Sequence, residues 1–234
     1  NTTESLNQKI LKLIISKEIP PGKKINQAKL AERLKASRTP IVKSLHRLEA
    51  QGLVEHIPNR GFFVSELSVL ELLELYTLRE ALDSIIIYEL ASTVSSKQSV
   101  ELASLSRCFE EAVSSEDEAR YRECDEAFHS RLLEFSENRL VKRIIGDFQI
   151  YRRCFTAGLL RPPEETLPEH KALAEAIISR NADNARELSV RHMAKTKQLL
   201  QELVQRLRQI GIDPSSIKFR ELDLKQTEGV SASA

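Results

Sequence analysis

The chain lacks long hydrophobic runs, a cysteine framework and internal repeats. No apolar stretch approaches the roughly 20 residues that span a bilayer, and the polar first residues do not resemble a signal peptide. The three cysteines, Cys108, Cys124 and Cys154, lie inside helical patterns, which favours separate core thiols in a reducing cytoplasm. The absence of a period of about 20–50 residues excludes a solenoid. We therefore expect a globular cytoplasmic protein with no membrane span.

Positive charge is concentrated at the N-terminal end. Residues 1–66 carry 12 Lys and Arg against 6 Asp and Glu, whereas the remaining residues carry 23 against 28. A basic head on a slightly acidic body is typical of a nucleic-acid-binding module attached to a domain that does not bind DNA. A solvated basic surface would give the same pattern, so charge alone does not decide between them.

A helix-turn-helix is predicted after a first helix over residues 1–19. Residues 27–34 and 37–52 each have one apolar stripe, and three residues connect them. Ser37 is the expected N-cap and Pro40 fits the first turn, where a missing N–H costs nothing. The outer face of the second helix suits the major groove of DNA. Its candidate DNA contacts are Arg38, Thr39, Lys43 and Arg47.

Two β-rich runs follow and predict a hairpin. They cover residues 53–57 and 62–64, and residues 58–61 form the turn. A hairpin after a recognition helix is a wing, and Arg60 at its tip can reach phosphate or the minor groove. Residues 1–66 are therefore predicted to be a winged helix-turn-helix DNA-binding domain.

The rest of the chain is predicted to be an all-α antiparallel bundle over residues 67–212, followed by a partly disordered tail over 213–234. Ser68 and Glu71 predict a capping box, and Thr166 and Glu169 predict another. The predicted helices cover residues 68–93, 98–114, 117–136, 138–157, 167–180 and 183–210. Disorder is expected from about Gln226.

The predicted helix over residues 68–93 is apolar on two sides. Leu72, Tyr76 and Ile86 lie on one side, and Leu78, Ala81 and Ile85 on the other. A helix of this kind is buried on both sides. The simplest second partner is the same helix of another subunit, so a homodimer is expected.

Three histidines lie on or beside apolar stripes of this bundle. They are His129, His170 and His192, and Asp125 precedes His129 by four residues on the same helix face. One carboxylate and three imidazoles on three helices suit a divalent metal. The alternative is three separate core histidines hydrogen-bonded to backbone or carboxylate groups.

Arg79 is also out of place, because it lies on the apolar side of its helix. It can pair with a core carboxylate, or it can bind a ligand carboxylate with its two-pronged guanidinium. Asn138 and Arg153 can line the same pocket, although positions on the helix surface fit both equally well.

The N-terminal motifs resemble the winged helix of the GntR family of bacterial transcription regulators. The resemblance covers about residues 5–66 and rests on Leu30-Ala-Glu-Arg-Leu, Ser37-Arg-Thr-Pro, Leu48-Glu-Ala-Gln-Gly-Leu-Val and Asn59-Arg-Gly-Phe-Phe-Val. Where the family has an Arg that contacts DNA, this chain has Val42 followed by Lys43. A lysine is not bidentate, so the family's operator preference does not carry over.

The second half resembles the FCD ligand-binding domain of the FadR-like branch of that family, over about residues 70–205. Asp125-Glu-Ala-Phe-His129, Glu169-His170 and Arg191-His192 resemble its metal-site pattern. The resemblance implies Asp125, His129, His170 and His192 as metal ligands. It also implies that Arg79, within Leu78-Arg-Glu-Ala-Leu, binds the effector carboxylate.

Together these features predict a ligand-responsive transcription regulator, a repressor rather than an enzyme. It is expected to bind double-stranded operator DNA as a homodimer and to sense a small organic acid through a divalent metal. Zinc, nickel, manganese, cobalt and iron are not distinguished. The alternatives are a metal-dependent hydrolase-like enzyme, for which no obvious general base is present, and a DNA-binding protein with a purely structural metal.

Overall fold

The computed structural model describes residues 2–219, apart from the side chains of residues 2–4, 152 and 156. Its elements in chain order are α1 (Thr2–Ile15), α2 (Gln27–Arg33), α3 (Arg38–Ala50), β1 (Val54–Ile57), β2 (Gly61–Val64), α4 (Val69–Thr93), α5 (Ser96–Ser114), α6 (Glu118–Phe135), α7 (Arg139–Asp147), α8 (Ile150–Thr156), α9 (Pro163–Ile178) and α10 (Ala182–Gln209).

The first of two hydrophobic cores lies under the recognition helix α3. The apolar stripe of α3, Ile41, Leu45 and Leu48, is completely buried there. β1 and β2 pair antiparallel, with Val54 opposite Val64 and Ile57 opposite Gly61. The predicted winged helix-turn-helix is therefore confirmed.

The second core lies within the helices α4–α10, as the predicted bundle requires. The capping box of Ser68 and Glu71 begins α4 as expected. Leu72 and Ile86 on one side of α4 are fully buried, whereas Leu78 and Ile85 on the other side are 50% and 42% exposed. Among residues 2–219, no helix combines the length and the apolar character needed to cross a bilayer.

Two predicted helix boundaries in this bundle are wrong. The single helix expected over residues 138–157 is broken into α7 and α8, because Gln149 adopts a left-handed backbone with φ 49° that cannot continue a right-handed helix. The helix expected from residue 167 begins at Pro163 instead, with Pro162 as its N-cap. Proline is favourable in a first turn, so Thr166 lies inside α9 and does not cap it.

The expectation of three separate thiols is also wrong. Cys108 of α5 and Cys124 of α6 form a disulfide with their Cα atoms 5.9 Å apart, and Cys154 is a buried free cysteine. Such bonds are rare in reducing compartments. The sequence does not show which faces of α5 and α6 meet, and the pairing depends on that.

Part of the predicted C-terminal tail belongs to the fold. Residues 213–219 run along the linker between the two cores, where the backbone N–H of Phe219 donates to the carbonyl of Leu67 and that of Val69 donates to Ile217. Phe219 is 7% exposed and joins the second core. The disorder expected from Gln226 lies outside the described residues.

Candidate nucleic-acid interface and metal centre

The outer face of α3 and the tip of the wing present basic side chains to solvent. Arg38 is held in place, because its Nε donates to Oε1 of Gln27 on α2 at 3.2 Å. Val42 is half-buried against the first core, so its position contributes no charge to this face. The predicted contacts that are exposed here are Arg38, Thr39, Lys43, Arg47 and Arg60.

Aromatic contacts join the recognition helix to the wing. The ring of His46 on α3 meets Phe62 of β2 edge-on, with centroids 4.9 Å apart, and His56 of β1 lies 4.5 Å from the same phenyl ring. The guanidinium of Arg60 lies 5.4 Å from the ring centroid of Phe63. These contacts fix the wing relative to the helix, which is the geometry that reading a groove requires.

The four predicted metal ligands converge in the bundle. Asp125 and His129 lie on α6, His170 on α9 and His192 on α10, and all four line one small cavity. The three imidazoles offer nitrogen atoms that all lie within 4.8 Å of one another. Oδ1 of Asp125 lies 3.2 Å from Nε2 of His170 and 3.7 Å from Nε2 of His129.

Neighbouring groups orient two of these rings. Nδ1 of His192 lies 2.7 Å from Oε2 of Glu169, and Nδ1 of His170 lies 3.1 Å from the hydroxyl of Tyr121. That hydroxyl lies 2.7 Å from Oγ1 of Thr166, so it can accept from His170 and donate to the threonine. With Nδ1 protonated in both rings, Nε2 keeps the lone pair that a metal needs.

The electrostatics of the site favour the metal-binding protonation states. Burial lowers the pKa of His192 to about 4 and that of His129 well below its ordinary value. Burial alone would raise the pKa of Asp125, but the adjoining imidazoles of His170 and His129 hold it below its usual range. Neutral imidazoles and an ionised carboxylate are the forms that coordinate a cation.

The residues present fit a divalent metal. Among the described residues, Nε2 of His170 and Nδ1 of His129 are buried without an aligned hydrogen-bond partner. A buried polar atom without a partner costs about 1–3 kcal/mol, and a metal on Nε2 of His170 would remove that cost. Three imidazoles and one carboxylate suit zinc, nickel, cobalt, manganese or iron(II).

Arg79 lines the same small cavity as His129, His170 and His192, and it is 2% exposed. Its Nη2 lies 3.4 Å from Oδ2 of Asp83, whose Oδ1 accepts a hydrogen bond of 2.6 Å from the hydroxyl of Tyr151. The guanidinium lies 4.9 Å from the ring centroid of Tyr151 and 5.6 Å from that of Phe155. Arg79 therefore pairs with a core carboxylate, Asp83, as the structural interpretation predicts. It also lines the cavity, as binding of a ligand carboxylate requires.

The structure does not bring Asn138 and Arg153 to this cavity. Asn138 is the N-cap of α7, and its side-chain amide donates to Glu89 at 3.1 Å. Arg153 lies between the two domains, where Nη2 is 3.5 Å from Oε1 of Glu71. The suggestion that both line the pocket is thus wrong, because Asn138 caps α7 and hydrogen-bonds to Glu89 while Arg153 lies against Glu71 and Gly52.

The roles of several residues at the site were not predicted from the sequence. Glu169 accepts two hydrogen bonds of 2.8 Å from Arg161 and one of 2.6 Å from Lys195, in addition to its contact with His192. Arg161 is distant in sequence from His192, and no local pattern marks it. Asp83 could have been found, since its spacing of four residues from Arg79 is that of a helical ion pair.

Comparisons with known proteins match both halves of the chain. Residues 2–64 match the model of the gntR family of bacterial regulatory proteins, and residues 74–195 match the FCD domain. The chain is 24% identical to the transcriptional repressor RspR of Escherichia coli K12 over 220 residues, covering 91% of this chain and 95% of RspR. It is 28% identical to the Nta operon transcriptional regulator of Aminobacter aminovorans over 196 residues, covering 82% and 91% of the two chains.

A solved structure supports the fold. A GntR transcriptional regulator from Rhodococcus sp. RHA1 superposes with a TM-score of 0.71 at 17% identity, covering 86% of this chain and 97% of that one. The family's members are transcription regulators that bind operator DNA, and they are not enzymes. The winged helix, the helical bundle and these matches establish that the chain belongs to the gntR family of bacterial regulatory proteins, as a transcription regulator with an FCD domain.

Proposed function

We propose that this regulator is a cytoplasmic repressor whose FCD domain holds a divalent metal and senses a small carboxylate. One observation carries the proposal: four potential metal ligands and the guanidinium of Arg79 share one buried cavity. The likeness to RspR, a repressor, supports the direction of regulation. The cytoplasm is where operator DNA is found.

The metal would be held by Asp125, His129, His170 and His192, and it would supply Lewis acidity and positive charge at the cavity wall. Four protein ligands leave two positions open in an octahedral metal. The side chain of Arg79 supplies a second positive group in the same cavity. Together they would select anions over neutral molecules of similar size.

The size of the cavity fits the head of an organic acid. Its volume is about 40 Å³. One water requires about 10–15 Å³ by this measure, so the space corresponds to about three waters and suits a carboxylate group. A groove of about 610 Å³ adjoins it and shares Leu159, Leu160 and Arg161 with it. The rest of the effector would lie in that groove.

The repressor would act as a homodimer. The exposed apolar side of α4, defined by Leu78, Ala81 and Ile85, would be its contact with a second copy. Two winged helices related by a two-fold axis read an inverted repeat, and the affinity for DNA depends on the distance between them. An effector that binds one arrangement better than the other shifts that equilibrium, typically by 1–3 kcal/mol.

The proposal is tested in two steps. Protein purified without chelator should contain about one divalent metal per chain. His170→Ala should then reduce the metal content and the melting temperature, because a ligand is lost and a polar cavity is left uncompensated. A protein that contains no metal and keeps full stability would refute the metal site. It would support the alternative, in which the three histidines are separate core residues.

The second step is a thermal-shift screen of organic acids, followed by DNA binding with each acid that stabilises the protein. Arg79→Lys keeps a cation beside Asp83 but loses the two-pronged geometry, so it should lose the response to the acid and retain operator binding. Arg131→Lys makes the same change at an exposed ion pair and serves as the control. A metal-loaded protein that no acid releases from DNA would favour a purely structural metal.

A further inference from the structure

Arg153 lies in the interdomain seam, the narrow space between the winged helix and the bundle. The seam contains a cavity of about 20 Å³. The side chain of Arg153 is 17% exposed, and its Nη2 approaches Oε1 of Glu71 at 3.5 Å. Other residues that line the seam are Gly52, Leu53, Val64 and Leu67. A residue of α8 thus contacts the DNA-binding domain.

The contact with Gly52 is a close one. Gly52 directly follows the C-cap of the recognition helix and has a left-handed φ of 72°. A Cβ atom at this position would lie 3.0 Å from Cζ of Arg153. The absence of a side chain therefore lets the guanidinium pack against the backbone where α3 ends.

The same guanidinium also reaches the beginning of α4. Glu71 is the third residue of that helix and forms the capping box with Ser68, whose N–H it accepts at 2.9 Å. The wing lies between Gly52 and Glu71 in the chain. Arg153 accordingly holds the chain on both sides of the wing.

Other residues of α8 lie next to Arg79 and His129, which line the metal cavity. Tyr151 donates to Asp83, and both Tyr151 and Phe155 lie against the guanidinium of Arg79. Their rings are 6.2 Å and 6.4 Å from the ring of His129. One short helix therefore contacts a residue that lines the metal cavity, Arg79, through two side chains and the end of the recognition helix through a third.

The backbone departs from helical geometry at both ends of α8. Gln149 before it and Gly158 after it both have left-handed backbones, with φ of 49° and 86°. At these two residues the helical hydrogen-bond pattern is interrupted, so α8 is not a rigid extension of α7 or α9. A shift of Tyr151 and Phe155 can therefore change the position of Arg153 in the interdomain seam.

We infer that α8 transmits the state of the metal cavity to the recognition helix, and that Arg153 is the positioning residue for this coupling. The inference rests on the proposed metal site. Occupation of the cavity fixes His129 and, through Asp83 and Arg79, the rings of Tyr151 and Phe155. Arg153 lies on the same short helix as those two rings. It then holds the backbone at Gly52 in one position relative to the bundle.

The test is hydrogen exchange followed by mass spectrometry on the full chain after its metal has been removed with a chelator, measured before and after Zn²⁺ alone is added back. In the wild type, zinc should slow exchange in peptides from α6 and α9. It should also slow exchange in the peptide that contains the end of α3 and Gly52, by at least about fivefold, which is the lower end of typical coupling. In Arg153→Gln the slowing in α6 and α9 should persist, while the slowing at Gly52 should be lost.

Arg143→Gln is the matched control, because Arg143 forms an exposed ion pair with Asp147 on the preceding helix. It should behave as the wild type does. Equal slowing at Gly52 in Arg153→Gln and in the wild type would overturn the role of Arg153. Slowing confined to α6 and α9 in the wild type would overturn the coupling but leave the metal site standing. No slowing anywhere would refute the metal site itself, and the coupling with it.

Discussion

Glu169 gives the sharpest test of how the proposed metal centre is built. Its carboxylate accepts hydrogen bonds from Arg161, His192 and Lys195 at once. Burial by itself would raise its pKa, but these hydrogen bonds, that from Arg161 first, hold the pKa below its usual range. Glu169 is therefore ionised, and it holds the proton of His192 on Nδ1.

The substitution Glu169→Gln keeps the shape of the side chain and removes its charge. Its oxygen can accept from His192 or from Arg161 and Lys195, but its NH₂ group faces donors and cannot satisfy them. Loss of a group that orients a ligating histidine typically lowers metal affinity 10–100-fold. That is about 1.4–2.7 kcal/mol. With the metal at a fixed excess, the melting temperature should fall by about 3–10 °C.

The affinity is measured by competition between the protein and a chromophoric chelator for Zn²⁺ and Ni²⁺. Glu165→Gln is the control, because Glu165 lies 3.4 Å from the same arginine but is 59% exposed. It should change the affinity less than about twofold, as expected for an exposed pair. A Glu169→Gln protein that binds both metals as tightly as the Glu165→Gln protein would show that the carboxylate does not support the centre.

Three further predictions concern the DNA contact, the dimer and the disulfide. Arg38→Ala should weaken operator binding by about 1–3 kcal/mol at equal salt if Arg38 reads a guanine, and unchanged binding in a fluorescence titration would refute this docking of α3. Ile85→Glu should yield monomers in sedimentation, whereas Val100→Glu, at a more exposed apolar residue of α5, should remain dimeric; a dimeric Ile85→Glu would place the interface elsewhere. Reduction of the bond between Cys108 and Cys124, which are 16 residues apart, should lower the free energy of unfolding by about 3 kcal/mol in denaturant titrations, and a thiol assay that finds three free cysteines without reductant would contradict the bond.

The sequence alone predicted the elements that depend on short-range patterns. The stripe of Ile41, Leu45 and Leu48, the turn around Arg60 and the capping box of Ser68 are each encoded within a few residues, and the structure reproduces all three. The family resemblance added the four potential metal ligands. Because each lies on a helix face whose periodicity is readable, their convergence in one bundle could be anticipated.

What the tertiary structure decided depends on how the helices are rotated and where they meet. The sequence does not show that Arg161 reaches Glu169, that Cys108 meets Cys124, or that residues 213–219 cover the linker. Periodicity predicts a continuous helix through Gln149, whereas in the structure its left-handed backbone separates α7 from α8, and Ile150 of α8 is buried in the second core. Arg153 lies at the end of the recognition helix and not in the predicted pocket, because a residue's partners across elements follow from packing and not from the local pattern.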